Sequence, residues 1–164
     1  MRYTETVHDV SVLFEENKDR LFAYLIRMTG DYDLAGDILQ ESFTRYMEHY
    51  KGNENSVSLL YTIARNALID HTRKHRHHVE LDGEHKDHKG DLEHTIMIRE
   101  DYRKVMRGFE ALDEEERDIL SLAISSELPY HEIAAVTGMS MANIKVKVHR
   151  ARVKLKKIFS GEES

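Results

Sequence analysis

The chain contains no cysteine, one proline (Pro129), and no glycine-rich or proline-rich stretch in its 164 residues. The missing thiols exclude disulfides, thiolate zinc sites and a cysteine nucleophile, and they fit a reducing compartment. The start, MRYTETVHDV, has no basic segment followed by an apolar run, so no secretory signal is expected. No apolar stretch approaches membrane-spanning length, and no membrane insertion is expected. These absences predict a cytoplasmic protein. Alternating strand patterns are scarce as well, and helix formers dominate the periodic segments. The expected class is all-α, built as two small helical domains joined by a flexible linker. Glycine-rich phosphate loops, nucleophile elbows and paired-carboxylate patterns are also lacking, so the chain does not read as an enzyme, and no cofactor is expected.

Charge is abundant, at 33% of residues, and uneven. The formal net charge of −6 argues at first against nucleic-acid binding. Between 141 and 160, however, stand Lys145, Lys147, Arg150, Arg152, Lys154, Lys156 and Lys157 with no acid. Between 111 and 132, seven acids stand against Arg117 alone. The average hides a strongly basic element beside a strongly acidic one.

Val12, Leu13, Leu21, Leu25 and Met28 recur at helical spacing and predict a helix over about 8–29, ended at Thr29-Gly30-Asp31. A second helix carries the stripe Leu34, Ile38, Phe43, Met47. After loop chemistry at 50–56, Ser56 is placed to cap a third helix with Leu60, Ile63, Ala64, Ala67, Leu68 and His71 on one face. Residues 8–76 thus form a first domain. The segment RHHVELDGEHKDHKGD offers nothing to bury, and 77–91 is expected to be a linker. A second domain over 92–160 is expected to hold helices at about 92–110, 113–125, 130–136 and 140–158.

The sharpest local signal lies in this last pair of helices. A short helix is expected to turn Ile133, Ala134 and Val136 inward, Thr137-Gly138-Met139 makes a sharp turn, and Ser140 can cap the next helix. There Ile144, Val148, Ala151 and Leu155 form one apolar stripe at i, i+4, i+7 and i+11. The opposite arc holds Lys145, Val146, His149 and Arg150, with Asn143, Lys147, Arg152 and Lys154 along its edges. This is the layout of a helix-turn-helix reader, in which early residues face base edges and basic flanks neutralise phosphates. A lone basic helix is more often a plain solvated face, but the preceding helix and glycine turn favour the reader.

With ALDEEERDIL, LPYHEIAAVTGMS and NIKVKVHRARVKL, the C-terminal half resembles region 4 of the extracytoplasmic-function (ECF) subfamily of sigma-70 RNA polymerase sigma factors. With DYDLAGDILQESF and LLYTIARNALIDHTRKHR, the N-terminal half resembles region 2 of the same family. The two motifs in this order are far more specific than a helix-turn-helix alone, and together they span roughly 10–158. The resemblance implies a non-catalytic factor that directs promoter-specific initiation by binding core RNA polymerase at its clamp helices and flap. It implies contact with the −35 and −10 promoter elements, and regulation by an anti-sigma factor.

Residue by residue, the resemblance puts Asp37, Gln40 and Glu41 against the clamp helices; without it they would pass for a solvated helix face. It puts Asn66, Asp70, Arg73 and Lys74 near the melted −10 segment. Helical phase independently turns Arg65, Asn66, Arg73 and Arg76 away from Leu60, Ala64 and Ala67, toward a phosphate backbone. The loop 52–56 corresponds to one that captures a flipped base, with Asn53 and Asn55 as candidate donors, although asparagine in a loop more often serves a turn. In region 4 the resemblance makes Lys145, Val146, His149 and Arg150 base-facing, and Ser140, Asn143, Lys147 and Arg152 phosphate-facing.

Four departures stand out: Leu59 where a tryptophan is common, Gly36 beside Asp37 where an acid is usual, Pro129 where a capping serine is typical, and apolar Val146 where a small polar residue is frequent. They leave the promoter sequence open. Of the eleven histidines, His71, His75 and His78 share one helical face while His77, His85, His88 and His94 crowd the linker. No rigid ligand set emerges from them, and no metal site is expected. Two rival readings are a stand-alone helix-turn-helix regulator and a sigma-like protein whose main role is sequestration. A simple repressor has no need of the Asp37/Gln40/Glu41 helix or the −10-reading segment.

Overall fold

The computed structural model describes residues 2–49, 56–82 and 99–161, with side chains over 10–49, 56–74 and 102–161. Among the described residues seven helices follow in order: α1 (Arg2–Thr29), α2 (Tyr32–His49), α3 (Val57–Asp82), α4 (Arg99–Glu110), α5 (Glu114–Ser125), α6 (Tyr130–Thr137) and α7 (Met141–Ser160). Among the described residues there is no strand, and no helix is long and apolar enough to cross a membrane.

Helix ends follow local chemistry. Gly30 closes α1 with φ +64°, its N–H donating to the Ile26 carbonyl at 2.8 Å. Ser56 Oγ accepts from Leu59 N at 3.0 Å and caps α3; Asp113 and Ser140 cap α5 and α7 in the same way. Pro129 stands just before α6 and makes no side-chain cap, one position earlier than a proline in the first turn.

The stripes place the core, with corrections of phase. Among its described side chains α1 buries Val10, Leu13, Asn17, Leu21, Tyr24 and Leu25, and Val12 faces outward. In α2 it is Ala35, Ile38, Ser42 and Tyr46, so Leu34 and Phe43 are only half-buried and Met47 is exposed. Small and hydroxyl-bearing residues on the true inner face misled a reading based on bulky apolar ones. Helix α3 buries Leu60, Tyr61, Ala64, Ala67 and Leu68, and α7 buries the expected Ile144, Val148, Ala151 and Leu155. In α6, Ile133 and Val136 are buried while Ala134 lies only partly inside.

Two boundaries differ from expectation. Helix α1 starts at Arg2 rather than near residue 8, and α3 runs on to Asp82, into the stretch expected as linker. Residues 83–98 lie outside the described residues. The largest difference is in how the two helical units meet. Helix α1 packs on α5 and α3 on α6, so buried residues of α1–α3 join those of α5–α7 in a single apolar cluster.

Candidate nucleic-acid and polymerase interface

The turn before α7 is built as its sequence demands. Gly138 takes a left-handed conformation (φ +75°), its N–H donates to the Ala134 carbonyl at 2.8 Å, and the next helix starts two residues later on the Ser140 cap. With Ile144 fully buried, the phase of α7 is set. Ser140, Asn143, Lys145, Val146, His149, Arg150 and Arg152 are all exposed, and Val146 is 45% exposed despite being apolar. Such an arc offers amide, cationic and methyl contacts to base edges and phosphates on one accessible face.

Lys147 is different. Its side chain is 18% exposed and its ammonium pairs with Glu115 Oε2 at 2.9 Å, from α5. Lys154 likewise reaches the buried Glu116, Oε1 at 2.6 Å. The acidic start of α5 therefore draws two cations of α7 toward itself, and of the eight α7-unit candidates only Lys147 is engaged in this way among the ion pairs of the described residues.

On α2, Asp37 and Gln40 are exposed, but Glu41 is held. Its Oε1 accepts from Arg45 Nη2 at 2.6 Å, and its Oε2 lies 2.6 Å from His71 Nε2 on α3. Arg45 also reaches Asp70 Oδ2 at 3.5 Å. The hydrogen bond with His71, aided by the charge of Arg45, holds the Glu41 carboxyl below the ordinary carboxylate range. Asp70, expected near melted DNA, thus shares a network with Glu41, expected against the clamp helices.

On α3, Asn66, Arg73 and Lys74 are exposed as expected. Arg65 is not free to reach a phosphate: its Nε donates to Asp118 Oδ2 of α5 at 2.8 Å. The expectation from helical phase missed this because it treated the far side of α3 as solvent, whereas α5 and α6 cover part of it. The side chain of Arg76, the loop residues Asn53 and Asn55, and the side chains of His75, His77, His78, His85, His88 and His94 lie outside the described residues. Among the described residues, no three His, Cys, Asp or Glu side chains are grouped to hold a metal. Leu59 is 38% exposed, so the residue in the tryptophan position lies at the surface.

Several polar contacts between the two helical units were not expected from the sequence. Tyr24, wholly buried, donates to Asp118 Oδ1 at 2.7 Å. Burial, reinforced by the Asp118 carboxylate, pushes the Tyr24 phenol well above its usual range. Tyr61 donates to the Ser125 carbonyl at 3.3 Å, and Arg27 donates to Ser125 Oγ. The signal was present in the tyrosines: a phenol within an aliphatic stripe must find a partner when buried.

The model of sigma-70 region 2 matches residues 13–78, and that of sigma-70 region 4 matches residues 102–155. The chain is 31% identical over 162 residues to the ECF RNA polymerase sigma factor SigM of Bacillus subtilis (strain 168), covering 92% of this chain and 95% of the relative. It is 32% identical over 143 residues to the ECF RNA polymerase sigma factor EcfG of Rhodopseudomonas palustris (strain TIE-1), covering 82% and 76%. In fold it is similar to the sigma factor RpoE solved in complex with the anti-sigma factor NepR from Bartonella quintana, with a TM-score of 0.70, 21% identity and 98% of each chain covered. It is also similar to CnrH in complex with the cytosolic domain of CnrY, with a TM-score of 0.66, 17% identity, and 94% of this chain and 89% of that one covered. Two region models in the expected order, and relatives matched over nearly their whole length, make this chain a member of the ECF subfamily of sigma-70 RNA polymerase sigma factors, which direct promoter-specific transcription initiation.

Proposed function

We propose that this chain binds core RNA polymerase and directs it to promoters by using its two helical units on two promoter elements. Residues 8–76 act as region 2, 77–91 as the linker and 92–160 as region 4. In region 2, Asp37 and Gln40 offer an exposed polar edge to the polymerase clamp helices, and Glu41 extends it once its partners yield. Asn66, Asp70, Arg73 and Lys74, with Arg65, Arg76, Asn53 and Asn55, attend the −10 strand. In region 4, Lys145, Val146, His149 and Arg150 read the −35 bases, while Ser140, Asn143, Lys147 and Arg152 hold phosphates; the unit also meets the polymerase flap. The protein itself performs no chemistry: the polymerase forms the bonds, and the sigma factor sets position and strand opening.

The observation that carries this reading is the exposed arc of α7, apolar Val146 among cations and amides, in the same chain as the acidic edge of α2. A stand-alone repressor would need the first and not the second. RpoE, similar in fold, was solved in complex with the anti-sigma factor NepR, and CnrH with the cytosolic domain of CnrY, which supports an anti-sigma partner here and a cytoplasmic place of action.

Purified protein mixed with core polymerase tests the proposal, using promoters selected from randomised DNA. A stable complex that initiates at selected sites is expected. Lys145→Ala should weaken promoter binding by ~1–3 kcal/mol and relax specificity at one −35 position. Absence of a complex with core polymerase refutes the reading.

A further inference from the structure

Helix α7 carries its cations on its flanks and not on its crest. The side chains farthest round from the buried stripe of Ile144, Val148, Ala151 and Leu155 are Ala142, Val146 and Val153, with His149 beside them. All four are exposed, Val146 at 45% and Val153 at 39%. Lys145 and Arg152 stand on one side of this line, and Asn143, Arg150 and Lys154 on the other. Ile144 is fully buried and Ser140 Oγ accepts from Asn143 N at 3.2 Å, so the helix cannot roll to bring Lys145 onto the crest. Scattered exposed valines are ordinary on a protein surface. These lie on one line, and that line begins in the first turns of the helix, the part of a recognition helix that meets base edges.

A crest with neither donor nor acceptor has one good match in the major groove. All four bases show hydrogen-bonding groups there, but only thymine shows a methyl group. Alanine or valine pressed against a purine N7 or an exocyclic amine would strip water from that group and leave it unpartnered. Pressed against the C5-methyl of thymine, the same side chains bury apolar surface on both partners. Ala142 and Val146 are about 6 Å apart along the helix axis. Successive bases of a strand are ~3.4 Å apart, so the two side chains span about two base steps.

We propose that this chain selects its −35 element by thymine methyl groups, with Val146 as the specificity-determining residue and Ala142 extending the contact one turn earlier. Lys145, Asn143 and Arg150 supply hydrogen bonds and charge on either side, and the apolar crest decides which base lies beneath it. The inference rests on the reading of α7 as the −35 helix, and it narrows that reading to one chemical feature of one base.

The test uses holoenzyme reconstituted with the full chain and a promoter selected from randomised DNA. Thymines of the −35 element, on either strand, are replaced one at a time by deoxyuridine, which keeps the base pair and the O4 acceptor and removes only the methyl group. At the thymine beneath Val146, holoenzyme is expected to bind about fourfold more weakly, the worth of one buried methyl group. Val146→Ser holoenzyme should bind the thymine and deoxyuridine promoters equally. The deoxyuridine comparison needs no protein variant, so it stands whatever the substitution does to the fold. Scrambling the whole −35 element separates the two levels of the reading. If scrambling leaves binding unchanged, α7 is not the −35 helix, and the methyl contact falls with it. If scrambling weakens binding while deoxyuridine is tolerated at every −35 thymine, the methyl contact alone is overturned. A selected −35 element without thymine on either strand, or a deoxyuridine effect of equal size in Val146→Ser, overturns it as well.

Discussion

At the scale of single residues, Glu41 shows how a surface carboxylate acquires a fixed position. Its i+4 partner Arg45 is on the same helix, whereas His71 comes from α3 thirty positions later. With its folded value held low, chiefly by the His71 hydrogen bond, Glu41 stabilises the fold fully above the ordinary glutamate pKa of ~4.3. That contribution is lost as pH falls through the lower folded value. Glu41→Gln should therefore flatten the acid limb of stability below the ordinary glutamate value, as measured by thermal melts across acid pH. An unchanged acid limb would mean the pair contributes nothing in solution. The Asp37–Glu41 face was legible as an i, i+4 pair, whereas the Arg45 contact was not expected, although it has the same spacing. The His71 contact was not, because nothing local fixes how α3 lies across α2.

At the scale of elements, the glycine turn and serine cap of the helix-turn-helix were readable because each answers a local backbone demand. Two glycines separate conformational need from accident. A Cβ at either Gly138 or Gly36 meets nothing within 4 Å, but Gly138 has φ +75° while Gly36 lies within α2. Gly138→Ala should cost ~1–2 kcal/mol through backbone strain alone. Gly36→Ala should stabilise by up to ~1 kcal/mol, since the helix is retained and the unfolded chain loses freedom. Urea titration of the two variants checks the opposite signs. The phase errors in α1 and α2 arise from which residue types fill the inner face. Tyrosine, serine and alanine fill buried positions there, so the bulkiest apolar residues do not mark the buried face.

For the whole molecule, the question is how far the two units act as one. Tyr24→Phe removes one hydrogen bond from the buried Asp118 and should cost ~1–3 kcal/mol. Because the contact joins α1 to α5, native-state hydrogen exchange should speed up in both helices together. Faster exchange confined to α1 would show that the units open independently. The opposed charge blocks of α5 and α7 were visible in the sequence as a contrast. Their meaning was hidden, because the acids near 113–118 meet cations of both their own unit and the other.

By itself the sequence determined the helical class, most helix ends, the α7 stripe with its exposed arc, and the paired family motifs. These depend on spacing along one chain, on a 3.6-residue period and on backbone preferences within a few residues. Only the tertiary structure decided that Arg65 faces Asp118, that Glu41 is tied to His71, and that Tyr24 and Tyr61 close the seam between the units. Those pairings join residues thirty to ninety-four positions apart. Their geometry follows from how apolar faces pack across helices, a choice that no single helix carries in its own pattern.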